Sequence, residues 1–152
     1  MSARFTLQPV MDLARNKVDA ATARLGHAMQ RLMDADRKLQ TLLQYREEYQ
    51  AKLRDSVTNG IDGAHWQNFH RFLAKLDAGI EGARTQADAA REAAKRAQAE
   101  WQDQQRKLKA FGVLAERHER EQQVVTARRE QRETDERATN AFNRAPPAGR
   151  PR

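Results

Sequence analysis

The sequence SVTNGIDG, residues 56–63, interrupts a heptad pattern of apolar residues that otherwise runs along most of the chain. The Asn-Gly pair at its centre is a strong turn signal. Before this stretch, alternating steps of three and four residues from Leu7 to Leu53 fall on apolar side chains with few exceptions. After it, the same steps from Trp66 to Ala115 do so again. The pattern predicts two long helices, each needing a partner along one stripe.

The connection between the two helices is short, and a short connection favours antiparallel neighbours. We therefore predict an all-α fold, a long antiparallel two-helix coiled-coil hairpin in which helix 2 overhangs helix 1. The predicted segments are helix 1 at about 7–54, a turn at 55–63 and helix 2 at about 64–142, together forming one hairpin domain over 1–144. The Pro-rich residues 145–152 are expected to form a disordered tail.

The unequal lengths of the two helices predict an unpaired end. Folding about residues 58–60 places position i opposite roughly position 118 − i, so the first residue of helix 1 lies opposite about Phe111. From Gly112 onwards helix 2 is rich in Arg, Glu and Gln, and such a helix is marginal in water without a partner. This end is therefore the part most expected to need another protein. Its candidate contact residues are Arg117, Arg120, Arg128 and Arg129.

Composition argues against an enzyme. With 32% charged residues and a mean hydropathy of −0.97, the 152-residue chain is too polar to build a thick globular core. It has no cysteine, which excludes disulfides and thiolate metal sites. Its four histidines are not at metal-ligand spacing, and no glycine-rich phosphate loop occurs. We predict a protein without catalytic residues, cofactor, metal or small-molecule substrate.

The net charge of +7 raises nucleic acid as a possible partner. The cations, however, are mixed with acidic residues throughout, and no aromatic residues are interleaved with a basic run. The sequence therefore predicts no nucleic-acid binding. It also lacks an N-terminal leader and any apolar stretch of about 20 residues, from which a cytoplasmic location is expected.

A second apolar stripe lies beside the heptad seam near the start of helix 2. It contains Phe72, Leu76, Gly79 and Ala83, at spacings i, i+4, i+7 and i+11. Such a stripe is either extra wrapping of the core or a docking face. Because a two-helix hairpin has no third element to cover it, the docking face is favoured.

These features together resemble the flagellar export protein FliJ family, a small coiled-coil component of the bacterial flagellar type III secretion apparatus. The resemblance covers roughly residues 5–140 and is most specific in segments that heptads alone do not explain. Those segments are Tyr45-Arg46-Glu47-Glu48-Tyr49, Asn59-Gly60-Ile61 and Trp66-x-Asn68-Phe69-x-x-Phe72-Leu73.

The resemblance implies a non-enzymatic coupling component of flagellar protein export, similar to the central stalk of rotary ATPases. It implies that the terminal end, with the four arginines, enters the hexameric export ATPase. It implies that Phe72 and Leu76, with Gly79 and Ala83 on the same stripe, contact the large membrane subunit of the export gate. Export chaperones are further implied partners. The expected state is a monomer when free, peripherally associated with the inner-membrane export apparatus.

Three alternatives stay open on the sequence alone. One is the equivalent stalk of a virulence-type secretion system, whose physical features would be similar to those described above. Another is a self-associating structural coiled coil without an ATPase partner. The third is a nucleic-acid-binding helical hairpin, which only the high pI favours.

Overall fold

The computed structural model describes the backbone of residues 4–145 and the side chains from residue 7 onwards. It contains two helices, α1 at Arg4–Thr58 and α2 at Gly63–Arg144, and no strand within the described residues. The two helices pack against each other as a helical hairpin. The prediction of an all-α hairpin is therefore confirmed.

The end of α1 lies a few residues beyond the predicted one, because Asn59 and Gly60 terminate the helix instead of forming the middle of a long turn. The Asn59 N–H donates to the Asp55 carbonyl at 3.0 Å, which continues the helical hydrogen bonding. The Thr58 hydroxyl donates to the Arg54 carbonyl at 2.9 Å. Gly60 then has a φ of +88°, the left-handed conformation with which glycine commonly stops a helix.

The start of α2 is capped by Asp62. Its Oδ1 accepts a hydrogen bond from the His65 N–H at 2.8 Å and lies 2.9 Å from the His65 ring nitrogen Nδ1. The hydrogen bond from the His65 backbone, followed by that from its side chain, lowers the pKa of the Asp62 carboxyl. The turn between the helices is consequently confined to residues 59–62.

The first helix begins at Arg4, about three residues before the predicted start at about residue 7. Pro9 lies inside α1 and not in its first turn, because the helix starts at Arg4. A proline here removes one backbone hydrogen bond near a helix end, which is less disruptive than the same loss in a long paired interior. The predicted disordered tail at 145–152 lies, except for Ala145, outside the described residues.

The chain forms two compact units, one of which is residues 16–106. Its buried residues all occupy predicted seam positions and are mostly small. They are Val18, Ala21, Leu76, Ile80, Ala83, Ala87 and Ala94. Alanine at these positions lets two helix backbones approach closely, and burial of apolar surface along the seam is what holds them together.

The second unit joins the residues up to Arg15 with those from Lys107 onwards. Within it Ala14 is buried, and Phe111, Ala115 and His118 of α2 are half-buried. Every residue from Glu119 to Ala145 is exposed. The prediction of one continuous domain over 1–144 stays a prediction.

The pairing of the helices differs from the predicted register. The Trp101 Nε1–H donates to the Thr22 hydroxyl at 3.1 Å, and Arg46 pairs with Asp77, so position i lies opposite about position 123 − i. The sequence predicts about 118 − i, because it centres the turn on residues 58–60. Since α1 continues through Thr58, the centre of the turn lies later in the sequence than predicted. Each residue by which this centre moves changes the sum of two paired residue numbers by two. The overhang of α2 accordingly begins after His118 and not at Gly112.

Candidate protein-binding surfaces

An aromatic cluster built by both helices lies close to the turn. The Tyr49 ring of α1 packs against Phe72 of α2, with centroids 4.4 Å apart and planes tilted by 42°. It also packs against Phe69 at 5.1 Å. Tyr49 and Phe69 are half-buried, whereas Phe72 keeps 40% of its surface exposed and Tyr45, one turn from Tyr49, keeps 55%. Exposed aromatic side chains grouped in this way are typical of protein-binding surfaces.

The structure divides the predicted stripe of four residues. Phe72 and Gly79 are exposed, whereas Leu76 and Ala83 are buried at 9% and 4%. The reason is geometric: the steps from Phe72 to Leu76 and Ala83 rotate those side chains toward the heptad seam. A Cβ built on Gly79 meets nothing within 4 Å, so this position is open. Of the four residues, Phe72 and Gly79 are therefore open at the surface, and Leu76 and Ala83 lie in the core.

The four predicted arginines all lie exposed on α2 in the second unit. Arg117, Arg120 and Arg128 share one face, because they lie three and eleven residues apart, and Arg129 points about 100° away from Arg128. Arg120 contacts Glu116 of its own helix at 3.8 Å. The structure thus gathers three of the four on one side of the helix and separates the fourth.

A groove lies beside the beginning of α1 in the second unit. Its volume is about 520 Å³, and it is lined by Leu7, Gln8, Met11, Ala115, His118, Glu119, Gln122, Gln123, Thr126, Ala127 and Glu130. The His118 Nε2 is buried and has no hydrogen-bond partner among the described residues. A buried ring nitrogen without a partner is costly, so this groove has unused hydrogen-bonding capacity. The sequence gives no signal for it, because His118 lies just beyond Ala115, where the regular heptad pattern ends.

Sequence reasoning also missed the partner of Phe72. Tyr49 is a seam position and is expected to pack inward, but its ring contacts both the half-buried Phe69 and the exposed Phe72. Trp66, the first heptad position of helix 2, is 42% exposed and packs edge-on against His70, with ring centroids 4.3 Å apart.

The described residues contain no group of three or more His, Cys, Asp or Glu side chains that could hold a metal ion. Within the same range, neither helix has a segment that is both long and apolar enough to cross a membrane.

The fold and its exposed patches define a helical hairpin protein whose candidate sites are protein-binding surfaces. The model of the family described as "Flagellar FliJ protein" matches residues 3–147. A flagellar FliJ protein of Salmonella typhi is 29% identical over 146 residues, covering 96% of this chain and 99% of the relative. One from Escherichia coli strain K12 is 27% identical over the same length and coverage. The chain belongs to the flagellar FliJ protein family.

Proposed function

We propose that this protein is a coupling component of flagellar protein export, which binds the export ATPase ring at one end and the export gate near its turn. Membership of the flagellar FliJ family over nearly the whole chain supports a role in flagellar export and assembly. It favours the flagellar system over the virulence-type one. Peripheral association with the inner-membrane export apparatus, and assistance to export chaperones, belong to the same proposal.

The observation that carries the ATPase part is the free end of α2. From Glu119 to Arg144 the helix continues with every residue exposed, and it presents Arg128 and Arg129 without an ion pair among the described residues. An unpaired helix of this kind fits the central pore of a ring. Arginines suit acidic loops there because a guanidinium can bind a carboxylate through two parallel hydrogen bonds.

The ATPase part is tested by charge reversal. The double variant Arg128→Glu and Arg129→Glu should abolish most of the stimulation of ATP hydrolysis by the purified export ATPase. The matched control is Arg84→Glu with Arg96→Glu, which makes the same charge change on two exposed arginines in the paired part of α2. Circular dichroism should show equal helicity in both. Full stimulation by the Arg128/Arg129 variant would refute the assignment of this end.

The gate part rests on Phe72, which is exposed and held in place by Tyr49. Phe72→Ala should weaken binding to the isolated cytoplasmic domain of the gate's large membrane subunit about tenfold, as is usual for a central aromatic contact. Phe142→Ala is the control, because Phe142 is a phenylalanine of the same helix that is 82% exposed. If Phe72→Ala bound the gate domain as tightly as the native chain, Phe72 would not be part of the gate-binding surface.

The rival function is a self-associating structural coiled coil. A groove and an exposed helix end are compatible with it, because both could be covered by a second copy. Sedimentation equilibrium separates the two: the coupling protein should be a monomer at micromolar concentration, and a stable oligomer would favour the scaffold.

A further inference from the structure

We infer that a second groove, which lies between the two helices within the unit formed by residues 16–106, binds an acidic amphipathic helix of another protein. The inference goes beyond the proposed function, which uses only the region near the turn and the free end of α2. It follows from the shape of this groove, from the cations on its α1 side and from the small side chains that face them.

This groove, which we call the alanine groove, has one polar and one apolar wall and a volume of about 580 Å³. The α1 wall carries the polar side chains of Arg24, His27 and Arg31, whose spacing of i, i+3 and i+7 places them on one face of the helix. The α2 wall consists of Ala89, Ala90 and Ala93. Because these side chains are methyl groups, a third helix can bring larger side chains against this wall.

Arg31 lacks the partner that the pairing of the helices gives to Arg24. The Arg24 guanidinium lies 2.5 Å from the Glu100 Oε1 of α2. One heptad further along α1 corresponds to one heptad back along α2, so the residue that faces Arg31 in the same way is Ala93. Alanine offers no carboxylate, and Arg31 has no ion pair or side-chain hydrogen bond among the described residues. The alanine groove therefore lies where an interhelical ion pair is missing.

Two carboxylates that are close to the alanine groove in sequence contact other side chains. Asp34, one turn after Arg31, accepts a hydrogen bond from the Gln30 Nε2–H at 3.1 Å. The Glu92 Oε1 lies 3.4 Å from the Lys95 ammonium group. The exposed guanidinium of Arg31 thus remains available to a carboxylate from outside the chain.

These features define the chemistry of the partner. Carboxylates along one edge of a helix can bind Arg31 through paired hydrogen bonds and accept one from His27, whose ring has no hydrogen-bond partner among the residues that the structure describes. Apolar side chains on the adjoining stripe of that helix can cover the alanines and be removed from water. A helix bordered by lysine or arginine would be repelled by the α1 wall. The complementary occupant is therefore an acidic amphipathic helix, packed against α1 and α2 as a third helix.

The alanine groove is separate from the surfaces proposed for the gate and for the export ATPase. Arg31 precedes Tyr49 by roughly 27 Å along the axis of α1. No residue of the groove belongs to the unit that contains the exposed end of α2. Variants in the groove should therefore leave binding to the gate domain unchanged, which distinguishes a failure of this inference from a failure of the proposed function.

The test uses two synthetic helical peptides of about three heptads, which share a stripe of leucine and differ only in whether glutamate or lysine borders it. Fluorescence anisotropy measures their binding to the full-length protein. The glutamate peptide should bind, less tightly as salt is raised, and the lysine peptide should bind about tenfold more weakly or not at all. Arg31→Glu should raise the Kd of the glutamate peptide about tenfold, because it replaces an attraction by a repulsion. Arg37→Glu, at an exposed arginine elsewhere on α1, is the matched control.

A second variant, Ala93→Glu, supplies Arg31 with the carboxylate that it lacks and fills the alanine groove. It should raise the Kd of the glutamate peptide about tenfold or more. It should not lower the Tm, because the new side chain can pair across the helices as Glu100 does with Arg24. Ala99→Glu, at an exposed alanine of the same helix, controls for the added charge.

Several results would overturn the inference. Equal binding of the two peptides would show that charge does not select the partner, and unchanged binding by Arg31→Glu would place the glutamate peptide outside the groove. A short DNA duplex that bound more tightly than this peptide, and lost affinity in Arg31→Glu, would make the α1 wall a phosphate site. If sedimentation equilibrium showed a native dimer that Ala93→Glu made monomeric, the occupant would be a second copy of this chain. Should Ala93→Glu lose helicity, Arg31→Glu decides, because its exposed side chain can be replaced without disturbing the core.

Discussion

The two halves of α2 are equally helical but are held in different ways. Between Leu76 and Ala94 the helix buries five residues against α1, whereas from Glu119 to its end it buries none. The described polar contacts of the second stretch lie within one helix, such as the Gln131 Nε2–H to Asp135 at 3.2 Å. Helical sequence alone therefore does not distinguish a structural segment from one that is available to a partner; burial does.

The largest test of this comparison places one charge in each half. Ile80→Asp should cost about 3 kcal/mol or more of unfolding free energy, because Ile80 is 5% exposed and a carboxylate would be buried there among apolar side chains. Val124→Asp, at a residue 49% exposed, should change it by less than about 0.5 kcal/mol. Urea denaturation followed by circular dichroism measures both. Similar losses in the two variants would mean that the end of α2 is as well packed as its middle.

A smaller effect tests the close approach of the helices. Ala87 is 1% exposed, so Ala87→Leu should force the helices apart and cost about 1–3 kcal/mol. Ala89→Leu, two residues away and exposed, should be tolerated. If Ala87→Leu were neutral in the same denaturation experiment, the alanine seam would not set the helix spacing.

The ion pairs sharpen the comparison further. Arg46 and Asp77 lie on different helices, 2.5 Å apart, with side chains 36% and 48% exposed. A double-mutant cycle with alanine should give a coupling of about 0.2–1 kcal/mol, and less at high salt. The same cycle on Glu116 and Arg120, within one helix and 3.8 Å apart, should give no more than the lower end of that range. A stronger coupling in the second pair would contradict this ordering.

The smallest effect concerns the cap of α2. Hydrogen bonds from His65 lower the pKa of Asp62 in the folded chain below its ordinary value of 3.8. The charged Asp62 therefore stabilises the folded chain at neutral pH, and this stabilisation is lost as the pH falls through the lowered pKa. The melting temperature of Asp62→Ala should therefore lie slightly below that of the native chain at neutral pH and converge with it in acid. Asp19→Ala, on an exposed face of α1, controls for general loss of a carboxyl. A gap that widens in acid would show that Asp62 does not act as a charged cap.

Much of the fold could be predicted because it follows from periodicity. A heptad seam, a short turn and unequal helix lengths are sufficient for the hairpin and its overhang, and Asp62 is recognisable as a cap from its position before α2. The register could not be predicted to the residue. It depends on whether Asn59-Gly60 is the centre of a turn or the end of a helix, and both conformations suit this dipeptide.

The candidate surfaces were harder to predict than the fold. Phe72 is recognisable as off the seam and Leu76 and Ala83 as heptad positions, but grouping all four residues into one stripe hid the fact that only Phe72 and Gly79 stay exposed. The contact between Tyr49 and Phe72 depends on the exact pairing of two helices, and this is the quantity that the sequence leaves uncertain. Spacing within one helix can be read from the local sequence, whereas a surface shared by two helices depends on how they pair.

Helix α2 runs without a break through 82 residues, and this continuity makes its phase vulnerable to small changes in length. One residue inserted before Leu76 would rotate everything after it by about 100° and turn the alanine seam away from α1. An insertion of seven residues would turn the alanine seam back toward α1 to within about 20°, but it would shift the pairing of the two helices. The same single insertion after Glu119 would leave the buried residues of the described chain in place and would rotate all the later, exposed residues, Arg120, Arg128 and Arg129 among them. A change in the length of α2 before Leu76 would thus disrupt the core, whereas a change after Glu119 would alter only how its exposed end faces a partner.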